Sequence, residues 1–342
     1  MNYLYHETFC VNGYMMAVEK SNKSIEMNAF RTDIFMRKRF YVPFCLLISA
    51  EKCTFAAIIE TYLNLQAMGI IIGIDVGTST TKIVGLRDGV VISPTRIRAT
   101  DPVTSLYGAF GKYLYDNHIS LTDVEQVMLT GVGAAYVNKP IYGLPTDKAQ
   151  EFMADGLGAR YESKQNRMLV VSMGTGTSFV KVDGNDIRHI GGMGIGGGTL
   201  KGLSQLLLNT DDVKHVAQLA EKGDIKNVNL QIGDISATPL PGLPLDATAS
   251  IFGNVKTNAT HEDIAAGLIC TVLQTIGSAT VLAALGSDIR EFVLIGNLTL
   301  LPQCHIIFPE LEKLYGVHFT IPKYSEFCTA IGAALCYAPT KA

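Results

Sequence analysis

A strand–turn–strand pattern with one turn chemistry occurs twice in this chain, and it constrains the fold more than any other feature. The first copy reads IIIGIDVGTSTTKIVGLRDGVVI over residues 70–92. An apolar run ends at Asp75, a Gly-Thr-Ser turn follows, and Lys82-Ile83-Val84 resumes an extended pattern. Asp88-Gly89 then supplies the two-residue signal of a tight hairpin. The second copy reads MLVVSMGTGTSFVKVDGNDIRHI over residues 168–190. Gly77-Thr-Ser-x-x-Lys82 and Gly176-Thr-Ser-x-x-Lys181 match in residue type and spacing, 99 residues apart. Such a match inside two like strand–hairpin contexts reads as a duplicated α/β unit.

The turns are suited to phosphate. Glycine lets the backbone approach an anion closely, and successive N–H groups with Thr and Ser hydroxyls supply donors. Facing one another, the turns would hold a polyphosphate between two lobes, with Gly77, Thr78 and Ser79 on one side and Gly174, Thr175, Gly176, Thr177 and Ser178 on the other. Asp75 closes the first strand, where one carboxylate can hold a hydrated Mg²⁺. Lys82 is placed to neutralise phosphate charge, whereas Lys181 reads as an exposed strand residue. Next comes Gly191-Gly192-Met193-Gly194-Ile195-Gly196-Gly197-Gly198-Thr199. Thr199 reads as an N-cap, because Leu200, Leu203, Leu206 and Leu207 follow at helical spacing. A helix N-terminus behind bare backbone is an anion site.

Glycine is also the residue whose placement divides the chain. Of 33 glycines only Gly13 lies in the first 67 residues, which instead hold eleven of the 28 aromatic residues and five of the eleven methionines. The sharpest boundary therefore falls before Met68-Gly69. Residues 1–67 show no helical or strand period. Their basic and apolar stretch from Met36 to Ala50 is broken by Pro43 and is too short to span a bilayer, which takes about 20 residues. The segment reads as a poorly ordered extension, or as upstream sequence read from too early a start, with Met68 the natural beginning. Residues 265–287 carry no charge but include Thr, Ser, Gln and Gly, which reads as a buried core helix. FVLIGNLTLLP (292–302) reads as a buried strand entering a Gly-Asn turn. Phe319-Thr320-Ile321 reads as a short strand, followed by a helix whose Ala330, Gly332, Ala333 and Ala334 would pack closely on it.

Composition excludes other classes. The 342 residues suffice for about two domains, and 48% hydrophobic content excludes disorder for most of the chain. A formal net charge of −3 provides no basic face for nucleic acid. Seven cysteines, an odd number with no C-x-x-C pair, read as reduced thiols of a cytoplasmic protein.

In order, IGIDVGTSTTK, LTGVGAA (129–135), VVSMGTGTS, GGMGIGGGT, LDATASIFGN (245–254), VLIGNLTL and AIGAAL (330–335) resemble the motifs of type II pantothenate kinases. These belong to the superfamily of acetate kinase, sugar kinases, heat-shock ATPases and actin. The resemblance covers Met68 to about Tyr337. It implies an α/β fold of two ribonuclease-H-like (actin-like ATPase) halves, here 68–165 and 166–342, closing on an ATP cleft, in a homodimer. It implies transfer of the γ-phosphoryl of ATP to the primary hydroxyl of pantothenate, the first step of coenzyme A synthesis, with no membrane partner.

Carried over position by position, the resemblance makes Asp75 the Mg²⁺-binding acid. Gly77, Thr78, Ser79 and Lys82 become the first phosphate turn and Gly174 to Ser178 the second. Gly196, Gly197 and Gly198 match the nucleotide clamp, Gly296 and Asn297 the adenosine motif, and Thr248 a pantothenate contact. The family's general base is a Glu ahead of a Gly-Leu-Gly. Glu151 takes that role here two residues closer to the glycines than usual, with Asp155 the local alternative. His189 stands where the family carries Arg, and Arg188 precedes it. Strand alternation allows only one of the two to face the substrate.

Two other readings share the fold. One is a sensor that binds a nucleotide or CoA ester without turnover. The other is the ATPase activator of a 2-hydroxyacyl-CoA dehydratase, which needs mid-chain cysteines for an iron–sulfur cluster. No cysteine lies between Cys53 and Cys270.

Overall fold

Two largely buried strands, Ile70–Val76 and Arg167–Met173, form the centres of two sheets of identical topology. The computed structural model describes residues 69–98, 101–238 and 242–337, together with the backbone of four strands between residues 5 and 42. Those four strands, β1 (Tyr5–Val11), β2 (Tyr14–Ser21), β3 (Ser24–Arg31) and β4 (Ile34–Val42), form an antiparallel meander. This departs from the absence of period in the sequence. Apolar residues there do not alternate, but the pairings Val11↔Tyr14, Ser21↔Ser24 and Arg31↔Ile34 leave two residues between successive strands. The first of these pairs is Asn12-Gly13, a strong short-range hairpin signal. Residues 43–68, with the end of the basic–apolar stretch and the start expected at Met68, lie outside the described residues. A separate compact unit begins at Gly69.

Within that unit the first sheet has the order β7-β6-β5-β8-β9. Its strands are β5 (Ile70–Val76), β6 (Thr80–Arg87), β7 (Val90–Arg98), β8 (Val124–Thr130) and β9 (Thr146–Lys148). The second has the order β12-β11-β10-β15-β16, from β10 (Arg167–Met173), β11 (Thr177–Asp183), β12 (Asp186–Met193), β15 (Glu291–Ile295) and β16 (His318–Thr320). In each sheet the first three strands are antiparallel and the last two join in parallel, so the duplication holds strand by strand. Its register differs from the motif match. Equivalent strands superpose Gly77-Thr78-Ser79 on Gly174-Thr175-Gly176, not on Gly176-Thr177-Ser178, because Thr177 and Ser178 already belong to β11. The repeated Gly-Thr in the second copy produced the offset. Ser172 is therefore the counterpart of Asp75.

Helices fill the faces. α1 (Pro102–Asp116) is capped by Asp101, whose carboxylate accepts from Thr104 N at 2.7 Å, and buries Leu106, Phe110 and Tyr113 on the first sheet. The second sheet is covered by α3 (Gly197–Leu208), α4 (Val213–Ala220), α6 (His261–Ala284) and α7 (Cys304–Tyr315). A four-residue α5 (Ile232–Ile235) and the short pair β13 (Leu230–Gln231) and β14 (Thr248–Ser250) lie between them in the chain. α6 is the uncharged stretch. It opens on Thr260, whose hydroxyl accepts from Asp263 N, and its Leu268, Ile269, Val272, Leu273 and Ile276 form the middle of the second core. Its length and hydropathy would suit a bilayer, but these residues are buried against the sheet.

Two remaining helices lie between the sheets. α2 (Glu151–Ser163) packs on β10, β11, β12 and β15, whereas α8 (Cys328–Leu335) packs on β5, β6 and β8. Each half of the chain thus lends a helix to the other half's sheet. The small residues of α8 do not serve β16, as their sequence neighbourhood suggested. They let α8 cross α2 and reach β5, because Gly332 faces the Ala154 carbonyl, Gly158 the Cys328 carbonyl and Gly73 the Ala330 carbonyl at distances that admit no Cβ. Gly332→Ala is expected to cost about 2–3 kcal/mol by overpacking, read as a lower urea midpoint with an unchanged slope.

Candidate active site

Parallel β5–β8 and β10–β15 pairs end on the same side of the molecule, and their end loops converge there, the usual ligand position of an open α/β sheet. The two glycine turns meet directly, with Thr78 Oγ1 and Thr175 Oγ1 3.2 Å apart. Thr78, Ser79 and Thr175 are exposed. A third loop joins them after β15. Gly296, at φ 96°, turns the chain against the Met173 carbonyl, and Asn297 donates to Thr80 Oγ1 at 3.5 Å. Asn297 Oδ1 is left buried without a partner.

The glycine run works differently from the sequence expectation. Gly191 to Met193 belong to β12, and α3 starts at Gly197 rather than after a Thr199 cap. Thr199 instead accepts from Gly196 N at 3.2 Å and donates to the Gly194 carbonyl at 2.8 Å. The Gly197 and Gly198 amides, expected to be free for an anion, donate to the Gly174 and Thr175 carbonyls at 2.8 and 2.9 Å. A Cβ at Gly196 would stand 2.6 Å from the Thr175 carbonyl. These glycines therefore seat α3 on the second phosphate turn, backbone against backbone. Thr177 is used likewise, its hydroxyl donating to the Ile195 carbonyl at 2.8 Å. Ser178 lies in the β10–β11 ladder opposite Ser172.

Behind the turns lies a group of carboxylates served by one cation. Asp75 and Lys82 are cross-strand neighbours on β5 and β6, and Lys82 Nζ reaches Asp75 Oδ2 at 3.3 Å. Both are buried, so Lys82 is an ion-pair partner of Asp75 rather than a free counter-charge for phosphate. Glu151, the first residue of α2, is open to solvent but stands against protein. That surrounding bulk and the charge of Asp75 raise its pKa against the opposing pull of Lys82. Asp155, one turn along α2, is buried. Burial dominates there, outweighs a 2.6 Å hydrogen bond from Thr329 Oγ1 to Oδ1, and with repulsion from Glu151 pushes Asp155 up to about 7. Of the two carboxylates open as a base, only Glu151 can meet a substrate.

A metal fits at Asp75. Lys82 holds Oδ2 and leaves Oδ1 facing Gly131, where a Cβ would intrude to 2.6 Å. The hydroxyl of Thr130, the β8 neighbour of Asp75, is buried without a partner. No cluster of three His, Cys, Asp or Glu residues exists among the described residues. One carboxylate with retained waters is the usual protein share for Mg²⁺, and a pre-formed cage is not required.

Strand alternation decides between Arg188 and His189. His189 stacks on Phe152, the neighbour of Glu151, with ring centroids 3.9 Å apart and planes 13° from parallel. Arg188 points from the other face of β12, alongside Lys181, and pairs with Asp186 at 2.6 Å. It is removed from the site. Thr248 lies on β14, and no hydrogen bond among the described residues joins it to the phosphate turns. Three contributors escaped sequence reading: Phe152, Thr80 and Thr329. Only Thr329 carries a signal, as the one hydroxyl residue of an otherwise apolar helix.

A sequence profile of the Fumble family matches residues 155–304. The chain is 29% identical over 214 residues to a type II pantothenate kinase of Staphylococcus epidermidis, covering 60% of this chain and 75% of the relative. It is 29% identical over 248 residues to one of Bacillus cereus, covering 69% and 85%. Among solved structures it is similar to the activator of the 2-hydroxyisocaproyl-CoA dehydratase from Clostridium difficile with bound ADPNP, at TM-score 0.58 and 18% identity over 78% of this chain and 93% of that one. Component A of the (R)-2-hydroxyglutaryl-CoA dehydratase of Acidaminococcus fermentans gives TM-score 0.57 and 19% identity over 78% and 96%. At those identities the structures are alike in fold alone.

Asp155 makes stability depend on pH in a defined direction. Its folded pKa lies above the ordinary 3.8, so the folded protein keeps a proton that the unfolded chain has released, and wild-type stability falls between about pH 4 and about pH 7. Asp155→Asn, which cannot ionise, is therefore expected to be more stable than wild type at about pH 8, by a margin that shrinks toward about pH 5. Urea denaturation at both pH values checks this; an equal margin contradicts it.

Proposed function

We infer that this chain, which belongs to the type II pantothenate kinase family, transfers the γ-phosphoryl group of ATP to pantothenate, giving 4′-phosphopantothenate and ADP at the entry to coenzyme A synthesis. The observation that carries the reading is the meeting of Thr78 with Thr175, with Asp75 and Glu151 behind them. The polyphosphate of ATP would lie between Gly77-Thr78-Ser79 and Gly174-Thr175-Gly176, taking turn amides and exposed hydroxyls as donors. Gly296 and Asn297 are assigned to the adenosine side. Asp75 Oδ1 would hold Mg²⁺, which when bound neutralises phosphate charge. Lys82 then acts by fixing the other oxygen of Asp75.

Glu151 is assigned to the primary hydroxyl of pantothenate. A loose phosphoryl-transfer transition state demands alignment more than strong deprotonation, so one accessible carboxylate with a raised pKa suffices to orient the hydroxyl and accept its proton. His189, held flat by Phe152, lies beside that position and is the substrate contact we favour; Thr248, assigned by the resemblance, is the second. The protein is proposed to work in the cytoplasm as a homodimer, with Mg²⁺ as its metal. The dehydratase activators share its fold, but the chain lacks the mid-chain cysteines that a bridging cluster would need.

Purified protein is expected to convert pantothenate and Mg-ATP to 4′-phosphopantothenate, followed by mass spectrometry. Consumption of ATP with a sugar such as N-acetylglucosamine, with pantothenate untouched, would contradict the reading. Glu151→Gln is expected to lower kcat about a hundredfold or more while ATP still binds, as measured by calorimetry. An unchanged rate would remove Glu151 from the mechanism.

A further inference from the structure

Asp155 takes no part in the transfer as assigned, yet it makes the only side-chain hydrogen bond between α2 and α8 among the described residues, from Thr329 Oγ1 to Oδ1 at 2.6 Å. Both residues are buried, and Asp155 is 1% exposed. The Ser172 hydroxyl of β10 also acts on this carboxyl, but its Oδ2 is buried with no partner at hydrogen-bond distance. A leucine there would bury apolar surface without stranding a carboxyl oxygen, so the aspartate is not explained by packing.

The surfaces around this bond suggest what it does. Where α2 meets α8 the contact is made by Ala154, Gly158, Gly332 and Ala333, with backbone carbonyls against glycines. Helices held through large side chains are fixed by ridges seated in grooves. Faces of alanine and glycine offer low ridges and resist sliding weakly, whereas a short, dry hydrogen bond is directional. The two helices also carry different parts of the site. Glu151 stands one turn before Asp155 on α2, which packs on the second sheet. Thr329 precedes Ala330, whose carbonyl lies against Gly73 on β5, two residues before Asp75.

We propose that Asp155, through Thr329, is a positioning residue: the bond fixes the axial register of α2 on α8, and with it the placement of Glu151 relative to Asp75 across the two halves. This deepens the kinase reading and rests on it.

The test uses the full chain, with steady-state kinetics on pantothenate and calorimetric ATP binding. Thr329→Val removes the donor and keeps the shape. It is expected to lower kcat about tenfold or more while KM and Kd for ATP stay within about twofold, because a shift of about an ångström at the base costs turnover rather than nucleotide affinity. Thr329→Ser is expected to recover kcat to within about threefold of wild type, and Thr329→Val with Asp155→Ala to be no worse than the poorer single variant. Wild-type kcat in Thr329→Val, a matching loss of ATP affinity, or additive losses in the double variant would each overturn the proposal. If Thr329→Val does not fold, Asp155→Ala is compared with Asp155→Asn, which keeps an acceptor for Thr329. Recovery by Asn supports the proposal and equal losses overturn it. A wild-type protein inactive on pantothenate would refute the kinase reading instead. The register is then read from amide hydrogen exchange in α2, which Thr329→Val should accelerate; unchanged exchange overturns the proposal.

Discussion

The crossing of α2 and α8 sets the spacing between the two halves, and the cleft depends on that spacing. Where backbone lies against backbone, a single added methyl has nowhere to go. The approach is therefore fixed by the absence of side chains at Gly158 and Gly332. Because each helix packs mainly on one sheet, their separation sets the distance between β5 and β10 and so between the turns that follow them. The Thr78–Thr175 contact follows from this arrangement. Were the halves covered only by helices of their own, nothing in the interior would tie one phosphate turn to the other. The exchange of α2 and α8 makes the cleft part of the core.

Electrostatics inside the cleft follow from the same geometry. Three carboxylates, Asp75, Glu151 and Asp155, share the neighbourhood of one lysine, and two of them have raised pKa values. Lys82 is committed to Asp75, so it cannot also balance an arriving polyphosphate without releasing its partner. An anionic nucleotide approaching this group meets repulsion unless a cation arrives with it. The free Oδ1 of Asp75 and the unpartnered hydroxyl of its strand neighbour Thr130 lie where such a cation would be received. Selectivity for metal-bound nucleotide over bare nucleotide would thus follow from the charge count, without a dedicated cage of ligands.

Much of this was legible in the sequence, for identifiable reasons. Strands β5 and β10 declare themselves by continuous buried runs ending in glycine turns, and Asp75 and Glu151 by their places in motifs. The uncharged helix and the Gly296-Asn297 turn were equally readable, since burial leaves a compositional mark. What failed was pairing information that no local pattern carries. Lys82 looked free because its partner is a cross-strand neighbour seven residues away. The amides of Gly197 and Gly198 looked available because their acceptors lie in another loop. The repeated Gly-Thr hid the true equivalence of the turns until strand register was known. Thr329 was overlooked because its importance depends on Asp155, 174 residues earlier.

Resemblance in shape and resemblance in sequence lead to different proteins here, and the difference is instructive. The described fold lies near those of dehydratase activators at 18–19% identity, whereas the sequence matches pantothenate kinases at 28–29%. A duplicated sheet with facing glycine turns needs only a polyphosphate to make sense, so it is shared by proteins that spend ATP on unrelated ends. What separates them must lie outside the turns. Among the described residues the cysteines are Cys270, Cys304 and Cys328, all buried, and the half-buried Cys336. Burial also pushes the thiols of Cys270 and Cys304 up, to about 11 and about 12, which opposes thiolate formation. In the proposed transfer to an alcohol, the exposed carboxylate at the first residue of α2 is the group assigned to orient the hydroxyl. On this shared fold the proposed function thus rests on a helix start that brings Glu151 within the electrostatic reach of Asp75 and Lys82.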